Sequence, residues 1–168
     1  KLGVSIGSEL LKADSDNPDG YQEDLNFLQI QRKWFRSTFA SDSKGWPDWG
    51  WNPDQSISRH GKSSWKAEAE VLLRQREVNS LATYWGWKDP RTTLILPFWQ
   101  ELRPELRLIG IYRSPWDLSD SLQRLNHPQF RTNPEMILPL WSLYNERLAE
   151  HIETEAERSI LVHAESMA

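Results

Sequence analysis

The stretch Y-R-S-P-W-D-L-S-D-S-L, residues 112–122, combines an arginine and a serine at a spacing suited to binding a phosphate. Arg113 ends a strand-like apolar run, and its planar guanidinium can hold a phosphate through two parallel hydrogen bonds. Ser121 follows seven residues after a predicted helix cap, about 10 Å along the helix, on a face that is otherwise apolar. We therefore predict that Arg113 and Ser121 bind a phosphate group.

A helix is predicted to begin directly after Arg113. Ser114 is a favourable N-cap, Pro115 suits the first helical position, and Asp117 completes a capping box. The free N–H groups and the dipole at a helix N-terminus favour anions. The alternative is structural: Arg113 is a surface residue at a strand end, Asp117 only caps the helix, and Ser121 bonds to its own backbone.

The elements around this stretch alternate between strand and helix. Apolar runs predict strands at 84–88, 106–112 and 159–163, the second of them buried on both faces. Helical periodicity predicts helices over 21–39, 63–82, 91–102, 114–125 and 134–156. This alternation is typical of an α/β domain with a parallel sheet, whose ligands bind at the carboxyl ends of the strands. The segment 41–62 fits no period and is predicted to be a long loop.

Composition excludes several classes of function. With 168 residues, 38% of them apolar and 26% charged, the chain suits one globular domain, 1–168. The net charge of −4 argues against a nucleic-acid partner. The absence of cysteine excludes disulfides and thiolate metal sites and favours the cytoplasm. The four histidines lack metal-ligand spacing, and no apolar run or signal peptide predicts contact with a membrane.

Three stretches, in this order along the chain, resemble bacterial and especially cyanobacterial sulfotransferase-like proteins. They are N-P-D-G-Y-Q-E-D at 17–24, W-G-W-K-D-P-R-T-T-L-I-L-P-F-W at 85–99, and R-S-P-W-D-L-S-D-S at 113–121. The third is similar to the motif that binds the 3′-phosphate of 3′-phosphoadenosine 5′-phosphosulfate (PAPS). The resemblance implies a three-layer fold like that of P-loop nucleotide hydrolases, with PAPS as cosubstrate and no metal.

The resemblance also implies sulfuryl transfer to an acceptor hydroxyl or amine, and several residues are candidates for roles in this reaction. Glu23 matches the position of a general base in several sulfotransferases; the alternative is an acid in a helix's first turn. Lys88 is expected at the same sheet edge as Arg113, where it could stabilise negative charge on the transferred group; the alternative is a surface lysine. Arg91 is a further candidate for binding the cofactor phosphates, unless it only pairs with Asp89, and Arg124 is a weaker candidate.

Two features of the family are missing from the sequence. No Gly-rich turn matches the P-loop-like segment that holds the 5′-phosphosulfate, and the late segment that covers the adenine is also absent. In the family, the P-loop-like segment lies just upstream of the position where this chain begins. We therefore expect the chain to be a piece of a longer protein, with an incomplete fold.

The leading hypothesis is therefore a PAPS-dependent sulfotransferase domain. Its acceptor is a small molecule or a carbohydrate, the latter suggested by Trp46, Trp49 and Trp51 in the long loop. The alternative is that these tryptophans hold the loop against the domain. The rival hypothesis is a non-catalytic sulfotransferase-like module that binds a nucleotide, a sugar or a partner protein. A P-loop kinase-like enzyme is disfavoured because the sequence shows no acidic Mg²⁺ site.

Overall fold

The computed structural model describes residues 3–38 except 16 and 19, then 63–125 and 128–167. The chain forms two compact units, Lys1–Leu102 and Arg103–Ala168. The predicted loop at 41–62, with its three tryptophans, lies outside the described residues. Across the part of the chain that the structure describes, every helix is too short or too polar to serve as a membrane span.

The first unit is mostly helical. Its elements are β1 (Val4–Ser5), α1 (Leu25–Thr38), α2 (Ser63–Asn79), β2 (Tyr84–Trp85), a 3₁₀ helix (Pro90–Ile95) and α3 (Leu96–Leu102). The two short strands pair in parallel, with Val4 opposite Tyr84 and Ser5 opposite Trp85. Helix α1 begins at Leu25, later than predicted, because residues 23 and 24 form bridges with other segments. The predicted helix at 91–102 is divided into a 3₁₀ segment and an α-helix.

Aromatic rings fill the core of the first unit. Phe27 of α1 stacks on Trp87 with ring centroids 4.2 Å apart and an interplanar angle of 6°. Trp99 of α3 contacts both rings, at 5.4 Å from Phe27 and 5.0 Å from Trp87. Such pairs contribute about 0.5–1.5 kcal/mol each beyond the area they bury. This cluster joins α1 and α3 to the segment that follows β2, and Lys88 is the next residue along that segment.

The second unit packs helices against a parallel pair of strands. Its elements are β3 (Leu108–Tyr112), α4 (Pro115–Arg124), α5 (Pro128–Thr132), α6 (Ile137–Thr154) and β4 (Ser159–His163), with 3₁₀ helices at Pro134–Met136, Ala156–Arg158 and Ala164–Met167. Strands β3 and β4 run in parallel with five residue pairs, from Leu108–Ser159 to Tyr112–His163. One stripe of α6 contributes Ile137, Leu140 and Leu148 to the core.

The prediction that the strand at 106–112 is buried on both faces is wrong. Gly110 is buried against α6, where a Cβ added to it would lie 2.7 Å from Leu148 Cδ1. Ile109 and Ile111 are 65% and 52% exposed, respectively. Neighbouring residues of a strand point to opposite faces, so α6 covers one face of β3. Among the described residues, the other face is left largely uncovered.

Mixed helices and parallel strands confirm an α/β class. The single sheet that the sequence predicted is instead two sheets of two strands each within the described residues. Strand β2 pairs with β1, whereas β3 pairs with β4. Lys88 follows β2, whereas Arg113 follows β3. These two residues therefore come after strands that belong to different sheets.

His151 makes the stability of the second unit depend on pH. Burial lowers the pKa of His151, and the nearby carboxylate of Glu155 offsets this only in part. Below its ordinary pKa of 6.5 the unfolded chain takes up the proton first, so we expect stability to fall as the pH drops below about 6.5. His151→Leu removes this contribution. Urea unfolding of both proteins at pH 7.5 and pH 5.0 tests it, and parallel losses of stability would contradict the role of His151.

Candidate functional site

Glu23 and Lys88, 65 residues apart in sequence, are in direct contact in the first unit. Lys88 Nζ donates to Glu23 Oε1 at 2.7 Å and to the carbonyl oxygen of Tyr21 at 2.9 Å. The side chain of Glu23 is only 6% exposed, whereas that of Lys88 is 49% exposed. Glu23 Oε2 is buried and has no hydrogen-bond partner among the described residues. The contact thus contains one covered carboxylate and one cation that reaches solvent.

The backbone around Glu23 fixes this contact. Glu23 forms a parallel bridge with Lys88, and the N–H of Leu11 donates to the Glu23 carbonyl at 2.7 Å. Gln22, directly before it, has φ = 62°, a left-handed conformation that costs an ordinary residue about 1–2 kcal/mol. The chain therefore turns sharply at Gln22 and then runs extended through Glu23. Because Glu23 is buried and precedes α1, the alternative of a solvated acid in a helix's first turn does not describe it.

The loop before Gln22 is held by its own hydrogen bonds. Tyr21 Oη contacts both carboxylate oxygens of Asp14, at 2.9 and 3.1 Å. Asp14 also accepts a hydrogen bond from the N–H of Asn17, whose side chain donates to the carbonyl of Gly20. These polar contacts join Asp14, Asn17, Gly20 and Tyr21 and thereby fix the Tyr21 carbonyl that accepts from Lys88.

Asp24, the neighbour of Glu23, has a structural role. Its carboxylate caps α1 by accepting a hydrogen bond from the N–H of Asn26 at 2.9 Å. The same carboxylate forms an ion pair with Arg76 of α2. Gly7 lies against this carboxylate with φ = 105°, and an added Cβ would meet Asp24 Oδ2 at 2.0 Å. Gly7 is therefore required both by its backbone conformation and by the close approach.

Arg91, predicted to bind cofactor phosphates, is buried and paired within its own turn. Its Nη1 lies 2.9 Å from Asp89 Oδ1, and their side chains are 8% and 1% exposed. Asp89 also caps the 3₁₀ helix by accepting from the N–H of Arg91. This is the pairing that the sequence left open as an alternative. The binding role of Arg91 stays a prediction, and the paired, covered guanidinium weighs against it.

Strand β3 leads into α4 as the sequence predicts. Ser114 caps α4 by accepting from the N–H of Asp117 at 3.2 Å, and its own hydroxyl donates to the Asp117 carboxylate. Arg113 is exposed, and its guanidinium has no partner among the described residues. Ser121 is half-buried next to the buried Leu122. An unpaired arginine beside a capped helix N-terminus is chemically suited to binding an anion.

Two contacts at this end of β3 did not follow from the sequence. The indole Nε1 of Trp141 on α6 donates to the Arg113 carbonyl at 2.9 Å. The rings of Tyr112 and His163, paired across the two strands, meet edge to face at 4.8 Å. Trp141 lies on the same stripe of α6 as Ile137, Leu140 and Leu148, and this spacing alone predicts a core residue. The indole N–H of a half-buried tryptophan needs a hydrogen-bond acceptor, which the sequence indicates. Helical periodicity does not identify the Arg113 carbonyl as that acceptor.

The structure therefore brings Glu23 and Lys88 together in the first unit and places Arg113 and Ser121 in the second. Arg124, the weaker candidate, forms an exposed ion pair with Asp120 one helical turn away. Within the described residues, no group of three or more acidic or histidine side chains is arranged to hold a metal ion.

Comparison of the chain with protein-family models, with curated proteins and with solved structures finds no significant match.

Gly7→Ala should destabilise the first unit by about 2–4 kcal/mol, because the new methyl group displaces the Asp24 carboxylate and the backbone is strained. Gly3→Ala is the matched control: Gly3 also has a positive φ, 73°, but an added Cβ would meet nothing within 4 Å. We expect it to cost about 1 kcal/mol. Urea unfolding measures both, and equal losses would show that the contact with Asp24 is unimportant.

Proposed function

We propose that this chain is a sulfotransferase domain that moves a sulfuryl group from PAPS to an acceptor hydroxyl or amine. The observation that carries the proposal is the 2.7 Å contact between Glu23 and Lys88. The resemblance implies a base at the first position, and a lysine at the carboxyl end of a strand is suited to stabilising charge. In-line transfer of an anionic group uses a base for the acceptor's proton and a positive charge near the transferred group, and Glu23 and Lys88 place both at one point of the first unit.

In this mechanism the acceptor oxygen or nitrogen forms a bond to sulfur while the bond from sulfur to the 5′-phosphate oxygen breaks. PAPS supplies the sulfuryl group, and adenosine 3′,5′-bisphosphate is the other product. Glu23 takes the proton that the acceptor loses. Lys88 stabilises the negative charge on the sulfuryl oxygens or on the departing phosphate. The electron pair of the broken bond stays on the phosphate oxygen, so no oxidant, reductant or metal is needed.

The contact between Glu23 and Lys88 also restricts when the base can act. Glu23 is covered, and its Oε1 is occupied by the Lys88 ammonium. An acceptor therefore reaches Glu23 only when Lys88 moves aside, and a nearby sulfuryl group supplies an attraction that favours this movement. The long side chain of Lys88 is half-exposed and can turn without displacing the core. This exchange would couple exposure of the base to binding of the cosubstrate.

For the nucleotide, the proposal assigns the 3′-phosphate to Arg113 and Ser121 in the second unit. The exposed guanidinium of Arg113 offers two parallel hydrogen bonds to phosphate. The capped start of α4 adds a partial positive charge beside it. Ser121 contributes a hydroxyl from farther along α4. These features support the assignment together with the resemblance of residues 113–121.

The same proposal includes a cytoplasmic location and a small-molecule or carbohydrate acceptor. The absence of cysteine favours a reducing compartment. The net charge of −4 disfavours a polyanionic partner such as nucleic acid.

The second candidate is a non-catalytic sulfotransferase-like module that binds a nucleotide, a sugar or a protein. One observation favours it: the Lys88 ammonium occupies Glu23 Oε1, as in a purely structural ion pair. The two candidates differ in their response to loss of the Glu23 charge. A catalytic base is required for turnover, whereas a structural acid affects only stability.

Glu23→Gln in the full-length protein tests the catalytic role. The amide keeps the size of the side chain but cannot accept the proton, so turnover of PAPS should fall about 10²- to 10⁴-fold. Binding of adenosine 3′,5′-bisphosphate should remain unchanged. Transfer of radiolabelled sulfate to a panel of sugars and phenols measures turnover. The control is Glu68→Gln, which removes the charge from an exposed pair with Lys33. Wild-type protein that binds the nucleotide but sulfates no acceptor would favour the non-catalytic module.

Arg113→Ala tests the phosphate role independently of any acceptor. It should weaken binding of adenosine 3′,5′-bisphosphate by about 1.5–3 kcal/mol, the contribution of a charge-assisted hydrogen bond. Binding of adenosine 5′-monophosphate, which lacks the 3′-phosphate, should not change. Isothermal titration calorimetry of the full-length protein measures both. Arg74→Ala, which removes an exposed arginine from α2, controls for overall charge. Equal affinities of wild type and Arg113→Ala would remove the 3′-phosphate assignment.

A further inference from the structure

Trp141 is connected to the predicted phosphate site through the backbone of Arg113. Its indole Nε1–H donates to the Arg113 carbonyl oxygen at 2.9 Å, across 28 residues of sequence. Arg113 lies between the last residue of β3 and the Ser114 cap of α4. Its carbonyl is therefore at the point where the chain leaves the strand and enters the helix. A hydrogen bond at this point restricts the backbone that carries the guanidinium.

A second contact keeps Trp141 in register with Arg113. Leu148, seven residues later on α6, packs against Gly110, three residues earlier on β3. Seven helical residues span about 10.5 Å and lie on one face of the helix. Three strand residues span about 10 Å. The matching lengths show that α6 runs antiparallel to β3 and contacts it at two points, at Gly110 and at Arg113.

The consequence concerns the Arg113 side chain, which has no partner among the described residues. A flexible arginine loses conformational entropy when it binds a ligand, and this loss weakens affinity. A backbone held by the strand, the helix cap and the Trp141 indole leaves only the side-chain torsions free. The fixed backbone therefore sets the position from which the Arg113 side chain extends, and only its side-chain torsions are left to be ordered when a ligand binds.

We propose that Trp141 is a positioning residue for the anion site at Arg113. The inference rests on the proposed function, since it assumes that Arg113 binds the 3′-phosphate. Trp141 does not touch the ligand; it acts by holding the Arg113 carbonyl, and the packing of Leu148 on Gly110 holds α6 in place. This role differs from the core role that the apolar stripe of α6 predicts.

Trp141→Phe, measured in the full-length protein, keeps an aromatic ring and removes the N–H donor. We expect the affinity for adenosine 3′,5′-bisphosphate to fall about 3- to 10-fold, as for loss of one hydrogen bond. Affinity for adenosine 5′-monophosphate should stay unchanged, which a merely destabilised protein would not show. In an Arg113→Ala background, Trp141→Phe should cause no further loss. Trp65→Phe is the control, because its Nε1 is buried without a partner among the described residues.

The outcomes separate this inference from the proposed function. If Arg113→Ala leaves affinity unchanged, the phosphate assignment fails, and the positioning role fails with it. If Arg113→Ala weakens binding but Trp141→Phe equals wild type, only the positioning role is wrong. A loss from Trp141→Phe that persists in the Arg113→Ala background also overturns it, because Trp141 then acts by another route.

A measurement on the wild-type chain covers the case in which Trp141→Phe does not fold. The assigned ¹⁵N-indole NMR signal of Trp141 should shift on titration with adenosine 3′,5′-bisphosphate and not with adenosine 5′-monophosphate. The shift should be absent in Arg113→Ala. A Trp141 signal that does not move while the 3′-phosphate nucleotide binds would overturn the inference.

Discussion

Two consecutive buried carboxylates, Glu23 and Asp24, impose the main constraint on the first unit. A buried charge is tolerated only when it is paired and hydrogen-bonded, and breaking a buried pair costs about 3–5 kcal/mol. Each carboxylate has its own cation from a distant segment, Lys88 for Glu23 and Arg76 for Asp24. The two cations lie on opposite sides of β2 in sequence. Satisfying both carboxylates therefore ties the N-terminal segment to α2 and to the end of β2.

The ion pair of Asp24 with Arg76 has a structural role, whereas the pair of Glu23 with Lys88 is the one assigned to the chemistry. Asp24 caps α1, contacts Arg76 and leaves no room for a Cβ at Gly7. Its carboxylate is therefore held by contacts with three different segments. Glu23 retains one carboxylate oxygen without a partner among the described residues, and its cation is half-exposed. Replacing a partner of Asp24 disturbs the fold. Lys88, in contrast, has a half-exposed side chain, and its movement from Glu23 toward an arriving anion is the step on which the proposed mechanism depends.

The sequence predicts the elements of this protein better than it predicts their burial and pairing. Strand β4 and the cap of α4 follow from short-range patterns: the apolar run at 159–163 and the order Ser114, Pro115, Asp117. Contacts between distant residues do not follow from such patterns. The apolar run at 106–112 suggested a strand covered on both faces, although α6 covers only one. The contact of Glu23 with Lys88 depends on the turn at Gln22, which no periodicity indicates.

The residues to which we assign a function lie in two units, and each unit has its own core. Glu23 and Lys88 are held by the aromatic core of Phe27, Trp87 and Trp99, whereas Arg113 is held by α6 and its contacts with β3. The residues assigned to the chemistry and the residue assigned to the phosphate thus depend on different cores. Burial lowers the pKa of His151 on α6. Protonation of His151 in mild acid should therefore weaken the core that holds Arg113, the residue assigned to the phosphate.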